Sequence, residues 1–158
     1  MTIKVAINGF GRIGRNVLRA HYEGGRKQGL QFVAINDLGN AQTNAHLLKH
    51  DTVHGHFPGT IPTGDDWMDI GHGKIKVTAE RDPAKLPWKE LGVEIALECT
   101  GIFTKREQAA KHIEAGARRV LISAPASATP MMMLRPQPLC VHSSAWRITL
   151  VLPMHSKL

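Results

Sequence analysis

Asn8-Gly9-Phe10-Gly11-Arg12-Ile13-Gly14-Arg15 stands between a short β-branched run, Ile3-Lys4-Val5-Ala6-Ile7, and a segment in which Ile13, Val17 and Leu18 recur at helical spacing. A Gly-x-Gly-x-x-Gly between a strand and a helix does its chemistry with backbone. The unpaired N–H groups and the positive end of the helix dipole favour an anion, above all a phosphate. Gly9 would let the chain turn out of the strand, Gly11 would leave room for a pyrophosphate, and Gly14 would let the helix lie close to the sheet. The amides of Arg12 and Ile13 would then reach the phosphates. The bland alternative is a glycine-rich turn with no ligand.

Gln31-Phe32-Val33-Ala34-Ile35-Asn36 reads as a second strand and ends at Asp37, about twenty residues beyond Gly14, where a ribose-binding carboxylate belongs. Such a carboxylate accepts from a 2′-hydroxyl and repels a 2′-phosphate, so Asp37 favours NAD over NADP. Its alternative role is to cap the turn before Gly39. Thr100-Gly101 follows a third apolar run, Val93-Glu94-Ile95-Ala96-Leu97. It therefore falls at a carboxyl strand end, where open α/β sheets bind ligands.

Six segments together resemble the amino-terminal part of the glyceraldehyde-3-phosphate dehydrogenase family. They are Asn8 to Arg15, Ile35-Asn36-Asp37-Leu38, Asp51-Thr52-Val53-His54-Gly55, Glu80-Arg81-Asp82-Pro83, Glu98-Cys99-Thr100-Gly101-Ile102-Phe103 and Ser123-Ala124-Pro125. The likeness runs from Met1 to about Ala126; erythrose-4-phosphate dehydrogenase is the rival name. The resemblance implies an NAD cofactor lying against the Asn8 to Gly14 turn, Phe10 included, with Arg12 and Ile13 at the pyrophosphate, Asp37 and Leu38 at the adenosine ribose and Arg81 on the adenine side. It places Thr100, Gly101 and Phe103 along the cofactor and Ser123 and Ala124 toward the nicotinamide. For Arg81 nothing local supports the role, and a solvated surface arginine is as good a reading. The family also forms homo-oligomers, which leaves the state of this chain open.

To position these residues the chain offers strands at 3–8, 31–36, 94–99 and 118–123 and helices at about 12–24, 41–49 and 104–115. Thr104 and Glu107 have capping-box spacing, and Gly116 can end the last helix in a left-handed cap. Ile75-Lys76-Val77-Thr78 after Gly71-His72-Gly73 reads as part of a hairpin within 57–80. Strands alternating with helices give an α/β fold, a Rossmann-like doubly wound and mostly parallel sheet with an inserted β-hairpin region.

The resemblance implies a nucleophilic cysteine in a Ser-x-Cys-Thr-Thr-Asn-Cys stretch soon after Ala126 and a base histidine in a second domain. Neither stretch is found in these 158 residues. Cys99 and Cys140 lack the required neighbours, and an isolated cysteine is inert by default. All thirteen acidic residues and all fifteen glycines precede Ser127, whereas the remainder holds Met131-Met132-Met133 and four prolines. The reading is an incomplete NAD-binding domain over 1–126 and an anomalous tail over 127–158, out of frame or, alternatively, naturally divergent; Arg147 to Leu152 could pair as an edge strand. With the catalytic domain absent, the expectation is an inactive chain whose parent oxidises an aldehyde phosphate with NAD and phosphate, or else a non-enzymatic nucleotide- or RNA-binding module.

The net charge of +7 is dispersed, with no basic run interleaved with aromatics, which argues against a nucleic-acid surface. His50, His54 and His56 lie close together, but without cysteine or acidic partners at ligand spacing other than Asp51, so no metal is expected. Two cysteines make no disulfide framework, and no transmembrane stretch or secretory leader is recognisable, so a cytoplasmic setting is the default. The final Ser156-Lys157-Leu158 has the form of a peroxisomal address and is read as chance.

Overall fold

The computed structural model describes residues 2–25, 29–71, 73–125 and 149–151. Strand β1 (Ile3–Asn8) leads into helix α1 (Arg12–Glu23), and β2 (Leu30–Asn36) into α2 (Ala41–Lys49). Two short hairpins follow, β3 (His50–Asp51) with β4 (Gly55–His56) and β5 (Trp67–Asp69) with β6 (Lys74–Thr78). A 3-10 turn (Pro83–Lys85), the one-turn helix α3 (Trp88–Leu91), β7 (Ile95–Glu98), α4 (Arg106–Glu114), β8 (Arg119–Ile122) and β9 (Thr149–Val151) complete the described elements.

Among the described residues seven strands form one sheet in the order β5-β6-β2-β1-β7-β8-β9. The five central strands run parallel, and β5 and β9 add antiparallel edges. The strand order reverses at β1: β2 and β6 are laid on one side, then β7 and β8 on the other. Open α/β sheets bind ligands at such a reversal, beyond the carboxyl ends of the strands. Here that crevice opens after Asn8 of β1 and Glu98 of β7, which pair in register.

Alternation along the strands divides the interior into two cores, because successive side chains leave opposite faces of a sheet. Val5 and Ile7 meet Leu18 of α1 and Leu48 of α2 on one face. Ala6, Ala34 and Ala96 meet Trp88 and Ala109 of α4 on the other. The small residues of that second face leave room for the indole of Trp88, which is fully buried. A register shift between Val5 and Ala6 gives Val33 no partner on β1 and keeps both faces in phase.

The expected strands and helices all form, within a residue or two of their bounds, and the inserted hairpin is β5–β6. Of the edge strand expected at Arg147 to Leu152, Thr149–Val151 pairs antiparallel with β8; Cys140, Ser156-Lys157-Leu158 and the rest of the tail lie outside the described residues. The capping box is a correction. Lys105, not Thr104, occupies the N-cap of α4 and no side chain caps it. Glu107 is therefore the second helical residue, and the Thr104 hydroxyl stands one position too early to cap. Glu107 still faces the positive helix end, and Gly116 (φ 112°) ends α4 as expected, with the Ala117 N–H donating to the His112 carbonyl at 3.0 Å.

Candidate functional site

The chain leaves β1 through Gly9, whose φ of 90° is a conformation that L side chains rarely adopt. A Cβ there would also stand 2.7 Å from the backbone nitrogen of Thr100. At Gly14 the demand is close approach: a Cβ would lie 2.3 Å from the Gly9 carbonyl oxygen, so α1 packs onto the turn only because this residue has no side chain. A Cβ on Gly11 would meet nothing within 4 Å. Gly11 lines a cleft of ≈ 450 Å³. No side chain caps the N-terminus of α1 and its first turn holds no acidic residue. Its opening N–H groups, those of Arg12 and Ile13 among them, belong to a helix start that favours an anion.

Eight of the fifteen residues expected at the cofactor line this one cleft. Asn8, Gly9 and Gly11 come from the first turn and Asp37 and Leu38 from the end of β2. Arg81, beyond β6, and Thr100 and Phe103, beyond β7, close the far walls. The other seven do not line it. The Phe10 ring is 1% exposed and belongs to the α1/α2 core. Its backbone N–H, however, donates to Asp37 Oδ2 at 2.8 Å. Gly14 is buried behind the turn, Arg12 and Ile13 begin α1, and Gly101 is exposed on the loop after β7. Ser123 and Ala124 follow β8, one strand further out, and are half-buried.

Asp37 takes the capping role and adds a second one. Oδ1 accepts from the Gly39 N–H at 2.9 Å, capping the turn, while Oδ2 holds the fingerprint turn through Phe10. An ionised carboxylate offers about four acceptor sites. Two of these remain, and Asp37 is only half-buried at the cleft wall.

Sequence reasoning missed Asn36, Glu80 and Ile102, which also line the cleft. Ile102 (69% exposed) and Leu38 (60%) are two of the large apolar side chains this chain leaves in solvent. No sequence period marks Ile102, because it sits on a loop; only the fold shows that it faces Leu38's cleft. Cys99, at the cleft floor, has its thiol pushed up to about 11, by burial first, with the Glu98 charge adding and a hydrogen bond with Ser123 opposing. It is therefore a thiol at neutral pH, not a nucleophilic thiolate. The His46, His50 and His56 rings pack in series with centroids 4.6 Å apart. Among the described residues no three His, Cys, Asp or Glu side chains converge on a metal position, and no helix is long and apolar enough to cross a membrane.

A doubly wound sheet with a glycine turn, an uncapped helix start and a carboxylate at its topological reversal defines a dinucleotide-binding domain. Residues 3–106 match the family model described as the NAD-binding domain of glyceraldehyde 3-phosphate dehydrogenase, and the chain belongs to that family. It is 62% identical over 125 residues to the plasmid glyceraldehyde-3-phosphate dehydrogenase of Cupriavidus necator, a match covering 79% of this chain and 37% of that protein. It is 65% identical over 125 residues to the Cereibacter sphaeroides enzyme, with the same coverage. With the Xanthobacter flavus enzyme it shares 62% over 134 residues, 85% of this chain and 40% of that protein. The chain thus spans well under half the length of the curated relatives it matches.

Proposed function

We propose that the cleft binds NAD, with the pyrophosphate at the start of α1 and the adenosine ribose on Asp37. The observation that carries this is the free pair of acceptor sites on Asp37, held at the same cleft as the open space beside Gly11. A diol needs two acceptors, and a 2′-phosphate placed there would meet a like charge. Leu38 and Ile102 supply exposed apolar surface at the same cleft for a flat base, and Arg81 stands on the wall beside Glu80. Arg12 and Ile13 would give amides to the phosphates, Thr100, Gly101 and Phe103 would follow the dinucleotide, and Ser123 and Ala124 would lie toward the nicotinamide. The parent reaction we infer is the phosphorylating oxidation of an aldehyde phosphate, in a cytoplasmic homo-oligomer.

Titration calorimetry tests the site. NAD should bind, NADP should bind more weakly, and Asp37→Ser should narrow the difference by removing the repulsive carboxylate. Equal affinities for NAD and NADP in the unmodified chain would falsify the Asp37 assignment. Gly11→Val should abolish NAD binding while leaving the circular dichroism spectrum intact, because its side chain enters empty cleft and not protein. With NAD, phosphate and glyceraldehyde 3-phosphate, the 158-residue chain should give no NADH, since positioning the cofactor supplies only one of the reactants and Cys99 is held as the thiol. NADH production lost on Cys99→Ser would overturn that reading of Cys99.

A further inference from the structure

Directly behind the cleft, a line of buried polar groups crosses four strands. The Thr78 hydroxyl and the Glu80 N–H each donate to Asn36 Oδ1 at 2.9 Å. Asn36 Nδ2 donates to Asn8 Oδ1 at 2.7 Å, and Asn8 Nδ2 donates to Glu98 Oε2 at 2.6 Å. His112 Nε2 lies 2.8 Å from the same oxygen, and the Trp88 indole N–H donates to His112 Nδ1 at 3.1 Å. Asn8, Asn36, Glu98, His112 and Trp88 are all at most 5% exposed.

The donors and acceptors set the direction of the whole line. An indole nitrogen can only donate, so His112 Nδ1 must carry a lone pair. The one proton of the neutral ring is then on Nε2, which donates to Glu98. On its other oxygen, Oε1, Glu98 accepts from the Thr100 N–H at 2.9 Å and from the Thr100 hydroxyl. Four donors, none formally charged, therefore occupy the four acceptor sites of one buried carboxylate. The Thr100 hydroxyl in turn accepts from the Ile102 N–H at 3.1 Å. Glu98 thus holds the loop whose Thr100 and Ile102 line one cleft wall and, through Asn8, the end of the strand that lines the other.

We propose that Glu98 is a positioning residue for dinucleotide binding, a saturated buried carboxylate that touches no ligand itself but sets the distance between the Asn8 turn and the Thr100 loop. The proposal rests on the reading of the cleft as the NAD site. His112, fixed as its Nε2–H tautomer by Trp88, completes the carboxylate's hydrogen bonds. In Glu98→Gln one oxygen becomes an NH2 group, which must oppose either the Thr100 N–H or the Asn8 and His112 donors. One wall of the cleft then loses its anchor while side-chain volume is unchanged.

Calorimetry and nitrogen-15 NMR on the full chain test this. Folded E98Q should lose at least tenfold in NAD affinity, while the ratio of NAD to NADP affinity, set across the cleft by Asp37, stays as in the unmodified chain. A merely structural Glu98 would lower the unfolding midpoint and leave the affinity of the folded variant alone; that result overturns the proposal. Trp88→Phe, which removes the indole donor together with part of the buried ring, should weaken NAD binding several-fold and release His112 into both tautomers, and unchanged affinity there also overturns it. In the unmodified chain His112 should show one protonated nitrogen, Nε2, at neutral pH. An imidazolium signal would overturn the direction of the network whether or not E98Q folds. Failure of the unmodified chain to bind NAD would remove the site reading and this proposal together, whereas NAD binding with equal affinity in E98Q removes the positioning role alone.

Discussion

Two carboxylates flank β1, and they differ in what they leave free. Asp37, on the β2 side, is half-buried, spends two acceptor sites on the N–H groups of Phe10 and Gly39 and keeps the rest at the cleft. Glu98, on the β7 side, is 1% exposed and spends everything on Asn8, Thr100 and His112. Both tie the glycine turn to a neighbouring strand, one through the Phe10 backbone and the other through the Asn8 side chain. A carboxylate with spare acceptors at a surface is free to recognise a ligand; one with none, in the interior, can act only by shaping what surrounds it. The same residue chemistry serves both purposes because burial and donor count, not charge, distinguish them.

The contrast is broken most severely on the buried side. Trp88→Ala should cost about 3–5 kcal/mol of unfolding free energy in denaturant titrations, the range for removing a large aromatic from a packed core, since Trp88 is fully buried and also holds His112. A loss near that of a surface substitution would mean that the Ala6, Ala34 and Ala96 face does not depend on it. Next comes the direct comparison of Glu98→Ala with Asp37→Ala. The first strands buried donors on Asn8, Thr100 and His112 and should cost on the order of 3 kcal/mol, while the second loses two hydrogen bonds at a half-exposed site and should cost about 1 kcal/mol. Equal losses would erase the distinction between the two carboxylates.

A third carboxylate sharpens it with the smallest effect. The Asp51 carboxyl is held down to about 2 from 3.8, first by the backbone N–H of His54, then by that of Val53, against opposing desolvation. A carboxylate depressed on folding contributes stability that is fully present above its unfolded value and lost as the pH falls through its folded one. Asp51→Asn should therefore flatten the acid limb of the unfolding midpoint between about pH 4 and pH 2, lowering the midpoint slightly at neutral pH and converging on the unmodified chain at the acid end. An unaltered acid limb would show that the two backbone donors do not discriminate between the protonation states of Asp51.

Much of the cleft was legible before any fold was known. The glycine turn, Asp37 and the Thr100 loop each stand at a strand end, and strand ends can be found from apolar runs and the punctuation around them. Arg81 was legible only by resemblance, because no period leads to a residue on the loop after β6. Ile102 and Asn36 were not legible. The first is one exposed loop residue among many, and the second reads simply as the last residue of a strand. The misread cap on α4 has the same cause, since a helix start is uncertain by a residue or two when no side chain defines it.

What the amino-acid sequence by itself determined is the alternation of strands and helices, the glycine turn from Gly9 to Gly14 at the start of a helix, the position of Asp37 at a strand end and membership of a dehydrogenase cofactor-domain family. These are local properties, carried by neighbours along the chain. Only the tertiary structure decided that Glu98 is spent inside the protein. Asn8 and Glu98 are 90 residues apart, His112 is a further 14 along α4, and Trp88 reaches His112 from 24 residues before it. Hydrogen-bond saturation is a sum over donors that only folding brings together, so no reading of one segment can supply it.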